Sequence, residues 1–457
     1  MNLQSAISCR LLEAAERWPQ RPALIEPNGT LNFAALNEQV SQRALDLQAQ
    51  GLGAEDWTLL RIRNSAAGIV DWLAVLRAGA RVIPVAEQLP DQAVQALLAE
   101  HAIPALISEP GAELEHTCFA TTRTAAVGLR RQFEARQPCA GVATSGSTGT
   151  PRIAVHSYAN YVRSAQGAIE YLPLKEDDRY LLSLPLFHVG GLGILFRCLE
   201  AGVPMVLGGR SEDADFLNDY QISHVSMVET QLRRLLHSSA APLPHLRWVL
   251  LGGGPVAAEL VQEAQERGLT CYMSYGLTEM SALVAAWPAA SGGGRVLRYR
   301  ELRTENDEIC VRGQTLCLGY LKAGRIAPLE IIDGWFPTGD LGRWEDGRLL
   351  IQGRRDNQFI SGGENIQPEA IESTLRNHTM VLEAVVVPRR DKEFGQRPVA
   401  FLRTAGQPDY TELRQWLRTR LSPHLTPVAW HPLPEPQGLK LRRQELIRLA
   451  EELREAN

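Results

Sequence analysis

The run Leu246-Arg247-Trp248-Val249-Leu250-Leu251, followed by Gly252-Gly253-Gly254 and then by Pro255 to Arg267, settles the architecture of this chain. Its first part is an apolar β-forming run, the three glycines supply a turn, and the last part has helical spacing. Proline is tolerated in a first helical turn and glycine commonly lies just past a last one, so Pro255 and Gly268 bracket the helix. Cys271 to Tyr275 then resumes a β-like run before Gly276. Strand, turn, helix and strand in that order make the Gly252 and Gly276 loops neighbours at the strand ends of an open α/β sheet, where such folds bind ligands. A dinucleotide fingerprint is a poorer fit, because neither glycine group has the required spacing.

The same alternation extends upstream. Arg10 to Glu16 reads as a helix, as does the spacing from Leu31, Phe33 and Leu36 through Val40, Ala44 and Leu47. Trp57 to Ile62 and Arg81 to Val85 read as strands around a helix near residues 67 to 76, and Tyr180 to Leu184 and Pro204 to Leu207 as strands around a Gly-rich apolar helix. Beyond residue 340 the texture changes. Arg348 to Gln352 predicts a strand, Gly353 to Asp356 a charged turn, Pro368 to Leu375 a helix, Ala384 to Val387 a strand, and Thr411 to Leu421 a helix capped by Thr411. The expected division is a large N-terminal domain over residues 1–355 and a small mobile α+β domain over residues 356–457.

Composition bounds the function. Across 457 residues, 47 Lys and Arg stand against 52 Asp and Glu, a formal net charge of −5, which gives no global field for nucleic acid or anionic lipid. Apolar residues at 45% and charged residues at 22% suit a globular protein with a substantial core. Asp71, Arg77 and Arg197 interrupt the most apolar stretches, so no membrane-spanning helix is expected. The N-terminus does not read as a secretory signal, and a cytoplasmic location is expected. Seven scattered cysteines without a CxxC pair, and ten histidines without an HExxH pair, speak against a zinc site. The composition leaves homo-oligomer formation open.

Thr144-Ser145-Gly146-Ser147-Thr148-Gly149-Thr150-Pro151-Arg152 is the clearest chemical feature. Its small residues let backbone N–H groups and hydroxyls surround phosphate oxygens, although a ligand-free polar turn has the same composition. Short apolar runs on both sides place it between strands, unlike the Walker A loop. In Ser274-Tyr275-Gly276-Leu277-Thr278-Glu279, Tyr275 can pack on a purine, while Thr278 and Glu279 can address phosphate and Mg²⁺, carboxylate being a hard oxygen ligand. Asp340, ending Thr338-Gly339-Asp340, can accept from ribose hydroxyls with Arg354 nearby, or the two can form an ordinary ion pair. Asp356 suits a pivot.

Lys440, in Gly438-Leu439-Lys440-Leu441-Arg442-Arg443, can neutralise charge developing at an α-phosphate, or be one of several solvated cations. His188 can line or gate an acyl pocket, or simply pack. Gly252, Gly253 and Gly254 can bring backbone donors to an acyl group or adenine, and Arg234 can grip a second carboxylate, with Arg233 an open alternative.

Taken in order, these motifs resemble the adenylate-forming family of acyl-CoA and aryl-CoA synthetases over nearly the whole chain. The resemblance implies a large α/β N-terminal domain with a small mobile α+β C-terminal one. It places Thr144, Ser145, Gly146, Ser147, Thr148, Gly149, Thr278 and Glu279 at ATP and Mg²⁺, and Asp340 and Arg354 at ribose. Lys440 would act in adenylation, and Gly362 and Gly363, in Gly362-Gly363-Glu364-Asn365-Ile366, would line the coenzyme A channel after a rotation about Asp356. Three positions depart from the family pattern: Arg152 replaces a lysine, Leu439 separates Gly438 from Lys440, and Glu229 stands where proline is common.

Longer matches narrow the resemblance: Val155-His156-Ser157-Tyr158, Ser183 to Val189, Leu250 to Gly253, and Asp391 to Ala400. They imply an acid with an aromatic and a succinyl carboxylate, 2-succinylbenzoate, activated at the succinyl carboxylate on the route to menaquinone. Two alternatives stay open: another aryl- or acyl-CoA ligase, or a nucleotide-binding protein of this fold without turnover.

Overall fold

The computed structural model describes residues 6–108, 114–116, 128–144, 152–238, 242–254, 256–290, 294–345, 348–434 and 443–455. Among them, two large sheets face a shared helical layer. The eight-stranded sheet runs, edge to edge, through Arg325–Ala327, Gly319–Lys322, Ile153–Ser157, Pro138–Ala143, Arg81–Ala86, Trp57–Ile62, Ala105–Ile107 and Leu114–His116. The nine-stranded sheet runs through Arg295–Val296, Ala282–Pro288, Cys271–Leu277, Trp248–Leu251, His224–Met227, Tyr180–Leu181, Met205–Val206, Pro22–Glu26 and Gly29–Asn32.

Three helices fill the space between: Ala66–Arg77, Tyr158–Tyr171 and Val189–Ala201. One buried cluster draws side chains from them and from both sheets. Trp72 stands edge-on to Tyr161 and Phe196, with centroids 6.1 and 5.8 Å away, and those two rings stack at 5.0 Å. Helices enclosed this way need no polar face. The charges that interrupt Ala66–Arg77 are satisfied internally: Asp71 accepts from Arg43 at 2.6 Å, and Arg77 donates to Asn37 and Ser41. No helix among the described residues is long and apolar enough to cross a membrane.

Arg300–Glu305, Glu308–Gly313, Phe336–Glu345 and Arg348–Arg354 form a separate four-stranded antiparallel sheet. The residues that follow have buried clusters of their own, built on Pro368–Arg376, Tyr410–Arg418, Arg443–Glu455 and the strands Val381–Asp391, Gly395–Thr404 and Ala429–Pro432. Gln367 Nε2 donates to the Arg354 carbonyl at 3.1 Å, and Arg376 Nε lies 3.9 Å from Glu229 Oε2.

Several boundaries differ from the sequence expectation. The strand expected over residues 180 to 184 ends at Leu181, because Asn64 Nδ2 takes the Leu182 and Leu184 carbonyls at 2.9 Å each. The strand expected over Cys271 to Tyr275 continues to Leu277 through a bulge between Tyr275 and Gly276. The helix expected over residues 411 to 421 runs instead over Tyr410–Arg418, and its cap is Asp409 rather than Thr411: the Asp409 carboxylate accepts from the Thr411 and Glu412 N–H groups.

Candidate active site

The parallel strands Trp248–Leu251 and Cys271–Leu277 lie side by side, so the Gly252 and Gly276 segments emerge together. Ser274 Oγ donates to the Leu251 carbonyl at 2.9 Å, and a Cβ added at Gly252 would fall 2.6 Å from that hydroxyl. Gly253 and Gly254 follow on the exposed side of the turn. At the bulge, a Cβ on Gly276 would lie 2.0 Å from the Ala282 carbonyl oxygen, so only glycine permits this approach.

The chain then makes a single 3₁₀ turn, Thr278–Met280, in which Thr278 is half-buried and Glu279 buried. Tyr320 donates its hydroxyl to Glu279 Oε1 at 2.6 Å. Burial, followed by the Glu279 charge, raises the Tyr320 phenol above its ordinary range, so it stays a donor. Among the described residues Glu279 Oε2 takes no hydrogen bond, which leaves a hard oxygen suited to a divalent cation.

Tyr320 also connects Glu279 to the phosphate-loop segment. The Arg152 guanidinium sits over the Tyr320 ring at 4.5 Å, and the Thr144 N–H donates to the Arg152 carbonyl at 2.7 Å, closing the base of that loop. Thr144 Oγ1 is buried with no partner among the described residues. Ser145, Gly146, Ser147, Thr148 and Gly149 lie outside the described residues, as does Lys440.

A second constellation joins three strands. Tyr275 donates its hydroxyl to Asp340 Oδ2 at 2.7 Å, and Arg354 donates Nη1 to Asp340 Oδ1 at 2.9 Å. The Tyr275 ring is buried in the core, so its contribution here is to orient Asp340. Burial and the Asp340 charge push its phenol well up. Burial opposes the charge on Arg354, but Asp340 and Asp356 together outweigh it and hold the guanidinium above its usual value. Arg354 Nη2 reaches Asp356 Oδ2 at 3.1 Å, so one arginine bridges the candidate ribose acid and the candidate pivot.

His188 caps the helix Val189–Ala201 with extended backbone, and its exposed ring lies against Phe187 at 4.7 Å. Gly362 and Gly363 form the tip of a hairpin, Phe359–Ser361 with Glu364–Ile366, and the Gly362 N–H donates to the Phe394 carbonyl at 2.9 Å. Arg234 does not converge with the other residues. It is 65% exposed and lies 3.7 Å from Glu212, while Arg233 pairs with Glu229 at 2.8 Å.

Sequence reasoning passed over Arg197, noting it only as a charge that interrupts an apolar stretch. It is 3% exposed and has no carboxylate partner among the described residues; its Nη2 donates to Tyr180 Oη at 3.2 Å, and its Nε has no partner. A Cβ added at Gly193 would lie 3.3 Å from Arg197 Nη1 and 3.5 Å from Ala282 Cβ, which places the cation beside the exit from the Glu279 turn. Arg300 is also buried, and burial plus repulsion from Arg197 brings it down to about 9. A buried cation without a counterion is costly unless an anion joins it. The signal was a lone arginine inside Val189-Gly-Gly-Leu-Gly-Ile-Leu-Phe-Arg197.

Comparisons with known proteins place the chain in a family. The AMP-binding enzyme family matches residues 11–321, and the AMP-binding enzyme C-terminal domain matches residues 370–437. The 2-succinylbenzoate–CoA ligase of Salmonella typhimurium is 38% identical over 435 residues, spanning 93% of this chain and 94% of its own. An arginine-to-lysine variant of Escherichia coli MenE with bound OSB-AMS superposes with a TM-score of 0.86 at 33% identity, over 99% of both chains. The o-succinylbenzoate CoA synthetase of Bacillus subtilis, solved both with the acyl-adenylate intermediate OSB-AMP and with ATP and magnesium ion, gives a TM-score of 0.85 at 26% identity over 96% of this chain; the match covers 98% and 99% of the two solved chains. The chain belongs to the AMP-binding enzyme family and, within it, to the 2-succinylbenzoate–CoA ligases.

Proposed function

We propose that this site ligates 2-succinylbenzoate to coenzyme A in two half-reactions, giving 2-succinylbenzoyl-CoA, AMP and pyrophosphate in menaquinone biosynthesis. The enzyme is an AMP-forming acid–thiol ligase. The observation that carries the reading is the linkage of three groups to one strand and turn: Asp340 is bonded to Tyr275, Glu279 lies four residues further on, and Tyr320 joins Glu279 to Arg152 at the base of the Thr144–Arg152 loop.

In the first half-reaction the succinyl carboxylate attacks the α-phosphorus of ATP and pyrophosphate leaves. The carboxylate is itself the nucleophile, so no Ser-His-Asp arrangement is needed. Thr144 to Gly149 hold phosphate oxygens, Asp340 accepts from the ribose hydroxyls beside Arg354, and Thr278 and Glu279 face the triphosphate. Mg²⁺, when bound at Glu279, supplies positive charge against the phosphates. Lys440 offsets charge developing at the reacting phosphate.

Gly252, Gly253, Gly254 and His188 border the acid. Arg197 rather than Arg234 meets the retained benzoate carboxylate, because of the buried arginines Arg77, Arg197 and Arg300 it is the one whose Nε has no partner among the described residues. Rotation of residues 356–457 about Asp356 then withdraws Lys440 and brings Gly362 and Gly363 to the pantetheine path, where the coenzyme A thiolate attacks the mixed anhydride and AMP leaves. The enzyme works in the cytoplasm, with no nucleic-acid partner.

A panel of acids assayed for both pyrophosphate and CoA thioester tests the assignment. 2-Succinylbenzoate is expected to outcompete benzoates and fatty acids; equal turnover across the panel would reject the substrate while keeping the ligase chemistry.

A further inference from the structure

The turn that carries Thr278 and Glu279 is too short to hold itself, since a single 3₁₀ turn has few internal hydrogen bonds. The chain leaves it through two consecutive non-glycine residues in the left-handed region, Ser281 at φ 55° and Ala282 at φ 90°. Such a backbone persists only where its surroundings over-determine it.

We propose that Ser281, backed by His156, is a positioning residue that locks this turn and so sets where Thr278 and Glu279 stand. The inference rests on the assignment of that turn to ATP and its metal. Ser281 is 1% exposed, and its hydroxyl meets both the Thr315 carbonyl at 3.0 Å and His156 Nδ1 at 2.9 Å. A carbonyl only accepts, so the single hydroxyl proton goes to Thr315, and His156 must donate its Nδ1–H to Ser281 Oγ. That assigns the tautomer, and burial keeps the ring neutral by pushing it down to about 3.

The Ser281 carbonyl is also taken, by the Ser164 hydroxyl at 2.6 Å. Arg300 Nη2 donates to Ser164 Oγ at 2.8 Å, and its Nε donates to the Leu283 carbonyl at 2.6 Å. On the other side the Cys317 N–H donates to the Glu279 carbonyl at 2.7 Å. The exit from the turn is therefore gripped by buried groups on four other segments, and the Ser281 side chain is committed to fixing backbone two residues past Glu279.

Calorimetric titration of MgATP into Ser281→Ala, His156→Leu, His156→Asn and the parent enzyme tests this. Asparagine can place an amide N–H where Nδ1–H stood, and leucine cannot. Losing these bonds is expected to weaken MgATP binding about tenfold in Ser281→Ala and His156→Leu, with His156→Asn recovering most of the loss. The KM for the acid and the rate of thioester formation from supplied acyl-adenylate are expected to stay unchanged. A folded Ser281→Ala enzyme with parental MgATP affinity would overturn the proposal. Should Ser281→Ala not fold, equal affinity in His156→Asn and His156→Leu would overturn it instead. A parent enzyme that binds no MgATP would refute the nucleotide assignment, a separate failure.

Discussion

Tyr275 donates its hydroxyl to Asp340 across 65 residues of sequence, at 2.7 Å, while Arg354 takes the other oxygen of the same carboxylate at 2.9 Å. Each Asp340 oxygen is thereby aimed, yet each keeps a second lone pair for a ligand hydroxyl. Tyr275→Phe removes the aim and leaves the buried ring in place. Because a hydrogen bond to a charged group contributes roughly 1.5 to 3 kcal/mol, the KM for ATP is expected to rise about tenfold. The KM for the acid should not move. Steady-state kinetics with each substrate varied in turn checks the separation; a parallel rise in both would mean that the pair only supports the core.

Lys440 is assigned to one half-reaction only, which makes its test a comparison of two assays. Lys440→Ala is expected to lose pyrophosphate release by about a hundredfold or more, in line with removal of one preorganised charge from a transition state. Thioester formation from supplied acyl-adenylate should stay close to the parental rate. Equal loss in both assays would assign the lysine to folding or to coenzyme A instead.

How much of this was legible varies with the range of the interaction. The strand, turn and helix around Gly252 follow from local composition, and the structure places a strand at Trp248–Leu251 and a helix at Ala258–Glu266. Asp409 displaced Thr411 as a cap because a carboxylate two residues upstream reaches two N–H groups at once. The bulge at Gly276 depends on the Ala282 carbonyl of the neighbouring strand, which no local pattern announces. Arg197 was hidden for a different reason. A charge in an apolar run reads as evidence against a membrane span, and only its burial without a carboxylate partner among the described residues turns it into a site candidate.

Buried imidazoles give the fold a pH dependence whose sign can be worked out. Burial pushes His156 down to about 3; burial, then the charges of Arg247 and Arg197, does the same to His224. Burial shifts His101 and His431 in the same direction. The His156 and His224 rings are neutral in the folded state and take up protons on unfolding once the pH drops below the ordinary histidine value of about 6.5. Their stabilisation is complete above that value and is lost as the pH falls through the window down to about 3. The urea midpoint is expected to fall steadily from pH 6.5 to 5, as the unfolding free energy drops with a slope approaching about 1.4 kcal/mol per pH unit for each proton taken up. Unfolding calorimetry in buffers of different ionisation enthalpy counts those protons. A midpoint flat over this range would contradict the burial of His156 and His224.

Arg197 offers the sharpest test of substrate identity, because a binding-site cation should reveal itself through stability as well as affinity. In the folded protein its guanidinium is buried with Tyr180 Oη as its only hydrogen-bond partner among the described residues, and it repels Arg300. Replacing it by methionine, of similar length and no charge, removes that desolvation cost, so the unfolding midpoint is expected to hold or to rise. The same change leaves the benzoate carboxylate of the substrate without its partner. Truncating one side of a buried charge pair costs about 2 to 5 kcal/mol, so the KM for 2-succinylbenzoate is expected to rise by roughly thirtyfold or more, with the KM for ATP unchanged. An analogue in which phenyl replaces the carboxyphenyl group lacks the second carboxylate, and Arg197→Met should handle it at least as well as the parent does. If the variant instead loses activity equally toward both acids while melting earlier, Arg197 holds the helix Val189–Ala201 in place and the second carboxylate is recognised elsewhere.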